Sequence, residues 1–191
     1  MKEFFKEVIQ INEMEDALDK EESAKKLFSR INAIEIPDHF NWATEIFENF
    51  HVKTTPEKKA LIWTDIDTLE TRTYSYKMLS QRANQLINYF NKSGVEKGDN
   101  FYMISPVSPE NWFASLACIK AGIVSVPTAT TMTQRELEFR FDTYSPKVIM
   151  ADEESACLID NALDEVDIEP KLKLVLGKKE GWISFDEIKE E

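Results

Sequence analysis

The sequence of 191 residues is poor in glycine and in histidine. It has five glycines, and neither G-x-x-x-x-G-K-[S/T] nor G-x-G-x-x-G, the two common glycine-rich phosphate-binding loops, occurs. The two histidines, His39 and His51, are too few for a usual zinc site. No Ser/His/Asp or Cys/His arrangement is indicated either. We therefore predict no catalytic residue and no metal ligand in this sequence.

Cysteine is also scarce, and long apolar runs are missing. The spacing of Cys118 and Cys157 is typical of neither a metal site nor a disulfide framework, which favours a reducing, cytoplasmic setting. No segment has the apolar core of a signal peptide or the length of a membrane span. We expect no membrane partner.

Basic residues are fewer than acidic residues in this sequence. The chain has 35 acidic and 23 basic residues and a formal net charge of −12. A surface of this sign repels phosphate backbones and anionic lipids, so we expect no nucleic-acid partner. A small anionic ligand is still compatible with local hydrogen-bond donors.

The stretch from Ile104 to Glu136 organises the rest of the chain. Ser108 and Pro109 predict a helix start, and Gly122 predicts its end in the left-handed conformation. A short strand follows up to Pro127, and Thr133 with Glu136 forms a capping-box pattern for a second helix. Strand, helix and strand in such close succession predict a parallel pair with a right-handed crossover. The loop 128–132 would then leave the carboxyl end of a strand, where α/β sheets bind ligands.

The same alternation continues, with four predicted strands and three helices between residues 100 and 176. It predicts an α/β fold with a mostly parallel sheet and helices on both faces. A β-hairpin, 60–64 with 71–74, and a helix capped by Ser75 precede it. Tyr144 is predicted to face inward from the helix that Thr133 begins.

The N-terminal residues differ from this body. Residues 1–36 are charged and predicted to be helical, with two apolar stripes separated by the charged segment 13–22. We interpret them as a helical N-terminal extension that packs on the main body or on a partner. Residues 37–191 are predicted to form a partial α/β domain, and residues 40–51 its first helix.

The C-terminal residues carry a second capping-box pattern, Ser184 with Glu187. It predicts a helix start four residues before the last residue, and a helix that short is marginal without tertiary support. We expect that this polypeptide is cut from a longer one.

The segment GVEKGDNFYMISPVSPENWFASLACIKAGIVSVP, residues 94–127, resembles an early region of the adenylate-forming (AMP-binding) superfamily. The matching features are Gly94, Gly98-Asp99, Pro106, Glu110, Lys120-Ala121-Gly122 and Pro127. The segments 40–48, 73–90 and 181–188 are similar to medium-chain acyl-CoA synthetases of that superfamily. The resemblance covers the chain from about Phe40 to its end and leaves residues 1–36 unexplained.

The resemblance implies the first subdomain of the large domain of an acyl-CoA synthetase. Such a ligase converts a small carboxylic acid with ATP and Mg²⁺ to an acyl-adenylate, and then forms a thioester with CoA. The family's phosphate loop and acidic motifs would lie beyond residue 191, so we expect this chain alone to be inactive and to bind no cofactor tightly. A homo-oligomer is left open.

The resemblance also implies one candidate cofactor-binding residue. In medium-chain synthetases, a glutamine in the loop after the corresponding strand approaches CoA, and counting from Pro127 places Thr131 at that position. Threonine can donate and accept, but it is shorter than glutamine. The alternative is that Thr130 and Thr131 are ordinary loop residues ahead of the Thr133 cap.

Two other classes of function are left open. One is a stand-alone binding or regulatory module, of which a receiver-like domain is one version. Asp152 follows a strand as such a domain would need, but no acidic pair ends the first strand. The other is an adenylation domain that feeds a carrier protein instead of CoA.

Overall fold

The computed structural model of the protein describes residues 1–189. They divide into two compact units, the first from Met1 to Pro56 and the second from Glu57 onward. The boundary that we predict between residues 36 and 37 remains a prediction, because compactness alone does not establish a domain. No helix among the described residues has the length and apolar character needed to cross a membrane.

The first unit begins with two helices, α1 (Lys2–Asn12) and α2 (Ala17–Ser29). They are separated at Asp16, whose carboxylate accepts hydrogen bonds from the backbone N–H groups of Leu18 and Asp19, both at 2.9 Å. This cap starts α2 inside the charged segment, so most of that segment is helical instead of a spacer.

Aromatic contacts join the parts of this unit. Phe4 of α1 meets Phe28 of α2 edge-on, with ring centroids 6.3 Å apart, and Phe5 stacks on Phe40 at 5.9 Å. A 3₁₀ turn covers Ile31–Ala33.

The unit ends with a wide, π-type helix, α3 (Ala43–Val52), in the region predicted to be helical. Ile46 and Phe47 are buried, whereas Trp42 is 38% exposed.

The second unit opens with an antiparallel hairpin of β1 (Lys59–Thr64) and β2 (Thr71–Ser75). The Asp65 carboxylate organises the turn by accepting from the N–H groups of Asp67 and Thr68, at 3.0 and 2.7 Å. The helix α4 (Tyr76–Lys92) follows directly, and Ser75 caps it as predicted by accepting from the Met78 N–H at 3.3 Å.

A five-stranded parallel sheet forms the body of this unit. Its strands and helices alternate along the chain in this order: β3 (Asn100–Ile104), α5 (Pro109–Ala121), β4 (Val124–Pro127), α6 (Gln134–Thr143), β5 (Val148–Asp152), α7 (Glu153–Glu165), β6 (Leu172–Leu176) and β7 (Ile183–Ser184). The spatial order is β4-β3-β5-β6-β7. The α/β fold with a parallel sheet is confirmed, and β7 is a strand that the sequence pattern did not reveal.

Helices cover both faces of the sheet, as predicted. On one face, α6 and α7 contribute Leu137, Phe141 and Ile159 to an apolar cluster with Tyr102 and Ile149. On the other face, Phe90 of α4 meets Phe101 of β3 edge-on at 5.5 Å. The helix α5 packs against α4. Gly122 ends α5 in the left-handed conformation, with φ of +71°.

Two side-chain expectations are wrong. Tyr144 does not face inward: it follows the last residue of α6 and is 66% exposed. Ser184 makes no side-chain cap. It ends β7, and a single 3₁₀ turn, Phe185–Glu187, follows instead of an α-helix. Residues 190 and 191 lie outside the described part of the chain.

Candidate functional site

The carboxyl edge of the parallel sheet is the place where the topology would put a ligand. The strand order reverses at β3, because the chain passes from β3 to β4 on one side and then to β5 on the other. Loops that leave neighbouring strands in opposite directions open a crevice between them. The segments at this edge are 105–108, 128–132, the start of α7 and 177–181.

The segment after β3 is held by the first turn of α5. The backbone N–H and the hydroxyl of Ser108 both donate to Oδ1 of Asn111, at 3.0 and 2.9 Å. The Asn111 amide donates in turn to the Ser105 hydroxyl at 3.1 Å. These bonds fix the conformation of the loop at the start of α5.

The segment after β4 contains the predicted CoA residue. Its start is anchored, because Thr128 is buried and its N–H donates to the Met103 carbonyl at 2.9 Å. Thr131 lies in the following turn and is exposed, and its hydroxyl has no hydrogen-bond partner among residues 1–189. The geometry therefore leaves this hydroxyl available, and the proposed contact with CoA stays a prediction.

The helix α6 begins immediately after this turn with the predicted capping box. The Thr133 N–H and hydroxyl both donate to a Glu136 carboxylate oxygen at 2.8 Å, and the Glu136 N–H donates back to the hydroxyl at 3.4 Å. These hydrogen bonds from Thr133 hold the pKa of Glu136 below its usual value. The box fixes the direction in which the loop 128–132 meets the helix.

The loop after β6 is tied to the start of α7. The Glu153 carboxylate accepts from the Lys178 N–H at 2.6 Å and packs directly over Gly177. Gly177 has φ of +121°, a conformation that side chains rarely adopt. Asp152 caps α7 by accepting from the Ser155 N–H at 2.7 Å, so this carboxylate serves as a structural cap.

An apolar groove of about 1050 Å³ opens beside the 128–132 loop. We name it the β4–α6 groove. Its walls are Val124 and Val126 of β4 and Phe139 of α6, while Met132 and Thr133 lie at the end nearest Thr131. Sequence reasoning missed this groove. The one available signal was Phe139, a large apolar residue on the otherwise polar side of α6.

The described residues offer little for bond-making chemistry. Among residues 1–189 no group of three or more His, Cys, Asp or Glu side chains could hold a metal ion. Burial raises the pKa of the Cys118 thiol to about 12, which makes it a poor nucleophile. The edge presents hydroxyls, backbone groups and the carboxylates of Asp152 and Glu153, held by local hydrogen bonds. That arrangement can position a ligand or a neighbouring segment.

Comparison with known proteins identifies the family. The model of the AMP-binding enzyme family matches residues 49–190. The chain belongs to this family. The match includes the whole hairpin and every element of the parallel sheet, as the sequence resemblance implied.

Curated relatives of this family member are CoA ligases. The 4-hydroxybutyrate–CoA ligase 1 of Metallosphaera sedula is 34% identical over 187 residues, which are 98% of this chain and 32% of the relative. The mitochondrial acyl-coenzyme A synthetase ACSM4 of Rattus norvegicus is 28% identical over 169 residues, 84% of this chain and 29% of the relative. The chain thus spans about a third of these proteins' length. The alignment with the Metallosphaera sedula ligase also includes most of residues 1–36, which the family resemblance had left unexplained.

Solved structures of family members share the fold. The luciferase-like enzyme of Zophobas morio superposes with a TM-score of 0.69 at 19% identity, over 82% of this chain and 36% of its own. The anthranilate CoA ligase AuaEII, in complex with anthranoyl-AMP, gives a TM-score of 0.65 at 23% identity over 80% of this chain and 27% of its own. At these identities the likeness establishes the architecture alone.

Proposed function

We propose that this chain is the first α/β subdomain of an AMP-forming acid–CoA ligase. The complete protein would couple a small carboxylic acid to CoA through an acyl-adenylate, with ATP and Mg²⁺. The observation that supports this most strongly is the family match over residues 49–190 together with relatives that are CoA ligases three times as long. The cytoplasmic setting stays a prediction.

The role of this subdomain would be to position a ligand or neighbouring segments of the ligase, since the chemistry of the ligase needs other groups. Acyl-adenylate formation brings a carboxylate and a triphosphate, both anions, into line with help from a metal ion. The described residues hold no metal-ligand cluster, and the sequence has no phosphate loop. The 191 residues alone would therefore neither activate acids nor bind ATP well.

The test is ATP–pyrophosphate exchange, measured with a panel of short- and medium-chain acids. The protein encoded by the complete reading frame should exchange, and the 191-residue chain should show background only. Exchange by the 191 residues would overturn the assignment of inactivity. A complete protein that activates none of the acids would overturn the ligase assignment itself.

Within this function we propose Thr131 as the residue that approaches CoA. Its exposed hydroxyl lies in the loop at the carboxyl edge, where the sheet topology favours a ligand. In the complete protein, Thr131→Ala should raise the KM for CoA several-fold and leave the exchange reaction, which needs no CoA, unchanged. Thr130→Ala, one residue away and also exposed, is the matched control. An unchanged KM would remove Thr131 from the site.

The alternative is that the protein transfers the acyl group to a carrier protein instead of CoA. An assay of AMP release separates the two. The relatives' names favour CoA. Release of AMP that depends on free CoA would support the proposal, whereas release only with a phosphopantetheinylated carrier protein would contradict it.

A further inference from the structure

We infer that Arg82 is a positioning residue for ATP binding: it fixes the place where the chain leaves the parallel sheet after β7, and so the start of the polypeptide that follows. The inference rests on the proposed function, because the sequence has no phosphate loop and residues 1–189 hold no metal-ligand cluster. Arg82 lies on α4, 106 residues before the carbonyl group that it binds.

The segment that leaves β7 is well packed, but little backbone pairing holds it. The strand β7 has two residues, which pair with Leu174 and Val175 of β6. In the 3₁₀ turn that follows, Phe185 and Ile188 are 3% and 2% exposed. The Ile188 N–H donates to the Phe185 carbonyl at 3.3 Å, which is long for a hydrogen bond of this kind. Side-chain contacts therefore decide the direction in which the chain continues.

Arg82 makes such contacts with the end of this turn. Its Nη1 donates to the Ile188 carbonyl at 3.2 Å, and its guanidinium carbon lies 5.9 Å from the centroid of the Phe185 ring. The same carbon lies 5.7 Å from the centroid of the Phe113 ring on α5. Arginine can do both because its planar cation stacks on rings while its edge donates hydrogen bonds. One side chain thus joins α4, α5 and the chain exit.

The surroundings of Arg82 hold its guanidinium in one orientation. Phe113 is 2% exposed, and Tyr74 of β2 meets it edge-on with ring centroids 5.2 Å apart. Gln85, on the same helix, accepts a hydrogen bond from Nη1 of Arg82 at 3.0 Å. Because the guanidinium is fixed, the Ile188 carbonyl that it binds is fixed as well.

The other end of β7 has a separate attachment. The Trp182 indole N–H donates to both carboxylate oxygens of Asp160 on α7, at 3.0 and 3.1 Å. This contact fixes how the chain enters β7, whereas Arg82 fixes how it leaves. Replacing Arg82 should therefore loosen the exit and leave the preceding residues in place.

The expected consequence is a change in ATP binding. Since this chain lacks a phosphate loop, the groups that hold the triphosphate would lie on the polypeptide that begins at this exit. A misplacement of about 1 Å in such groups can cost a reaction about a hundredfold. Arg82 would act on these groups through the chain, without touching the substrate.

The first experiment is pyrophosphate exchange by the protein that the complete reading frame encodes. Arg82→Lys keeps the charge and removes the planar fork, and we expect it to raise the KM for ATP at least fivefold. Ser75→Ala, which removes the cap of the same helix, is the matched control and should keep this KM within about twofold. A smaller folded fraction lowers the maximal rate and leaves KM unchanged, so KM separates positioning from stability.

Two results of this experiment would overturn the inference. One is an unchanged KM for ATP in Arg82→Lys, and the other is an equal rise in Ser75→Ala. If Arg82→Lys does not fold, Phe185→Leu takes its place, because it removes one ring from the guanidinium and keeps an apolar side chain. It should also raise the KM for ATP, and an unchanged value would again contradict the role of Arg82.

The second experiment tests the exit without relying on the ligase reaction. In the 191-residue chain, Arg82→Lys should speed hydrogen exchange at the Ile188 amide at least tenfold. The Trp182 amide, which donates to the Lys179 carbonyl at 3.1 Å, is the control and should stay within about threefold. An unchanged rate at Ile188 would show that Arg82 does not fix the exit. A faster rate, combined with no pyrophosphate exchange by the unmodified complete protein, would refute the ligase assignment and with it the role in ATP binding.

Discussion

The strands β4 and β5 are the two neighbours of β3, and they have opposite environments. Both pair with β3 in parallel. In β5, the four residues from Val148 to Ala151 are fully buried, whereas β4 is largely exposed, with Val124 at 47%. Both segments are short and rich in β-branched residues. The comparison teaches that the order of strands, which local sequence does not encode, decides which of two similar segments becomes the core.

The largest expected effect is a difference in the free energy of unfolding between two matched valine-to-alanine variants, one in β5 and one in β4. Val148→Ala removes fully buried methyl groups and should lower the free energy of unfolding by about 2–3 kcal/mol. Val124→Ala in the 191-residue chain should cost less than about 1 kcal/mol, because much of that side chain already meets water. Urea denaturation followed by circular dichroism measures both. Equal losses would mean that β4 is covered in this chain.

A smaller effect concerns α6, the helix that connects the exposed strand β4 to the buried strand β5 along the chain. Thr133→Ala removes the cap of α6 and should destabilise the second unit by about 1 kcal/mol. Ser184→Ala is the control, since the same sequence signature makes no side-chain cap there and the expected change is near zero. Thermal unfolding of the two variants should rank them in this order, and the reverse ranking would contradict the observed caps.

The smallest effect depends on pH and concerns Asp99, the residue just before β3. Burial raises the pKa of Asp99, but the Glu96 N–H and the Lys171 ammonium, at 2.9 and 3.0 Å, outweigh it and hold that pKa below its usual value. A lowered pKa in the folded state stabilises the protein above the unfolded pKa of about 4, and this contribution is lost as the pH falls through the lower folded value.

Asp99→Asn should therefore cost roughly 0.5–1 kcal/mol at pH 7 and progressively less as the pH drops below about 4. Urea midpoints from pH 7 to pH 3 provide the measurement, with the exposed Asp142→Asn as the control. A difference between Asp99→Asn and the unmodified protein that stays constant over this range would rule out the carboxylate as its source.

Much of the fold could be predicted because its signals are local. Ser75, Thr133 and Gly122 each act through backbone groups within four residues, so the helix ends that they mark are present in the structure. The candidate site was less predictable. Thr131 could be located in its loop, but the β4–α6 groove arises from residues of two elements that only the sheet order brings together.

Two local patterns fail. Ser184 and Glu187 carry the letters of a capping box, but the chain after Ser184 makes a single 3₁₀ turn, Phe185–Glu187, and Ser184 makes no side-chain cap. Pairing in the sheet is not the reason, since Ser75 and Asp152 also pair in their sheets and still cap helices. Tyr144 has the spacing of an inward residue, but α6 ends at Thr143, so the helical spacing no longer decides which way this side chain faces.

The amino-acid sequence by itself determined the alternation of strands and helices and the caps at Ser75 and Thr133, because these depend on neighbours along the chain. Only the tertiary structure decided which strand lies at the edge, which apolar side chains remain uncovered and where the groove opens. Those outcomes depend on pairings between segments tens of residues apart, whose free energy is gained only when the whole sheet has assembled.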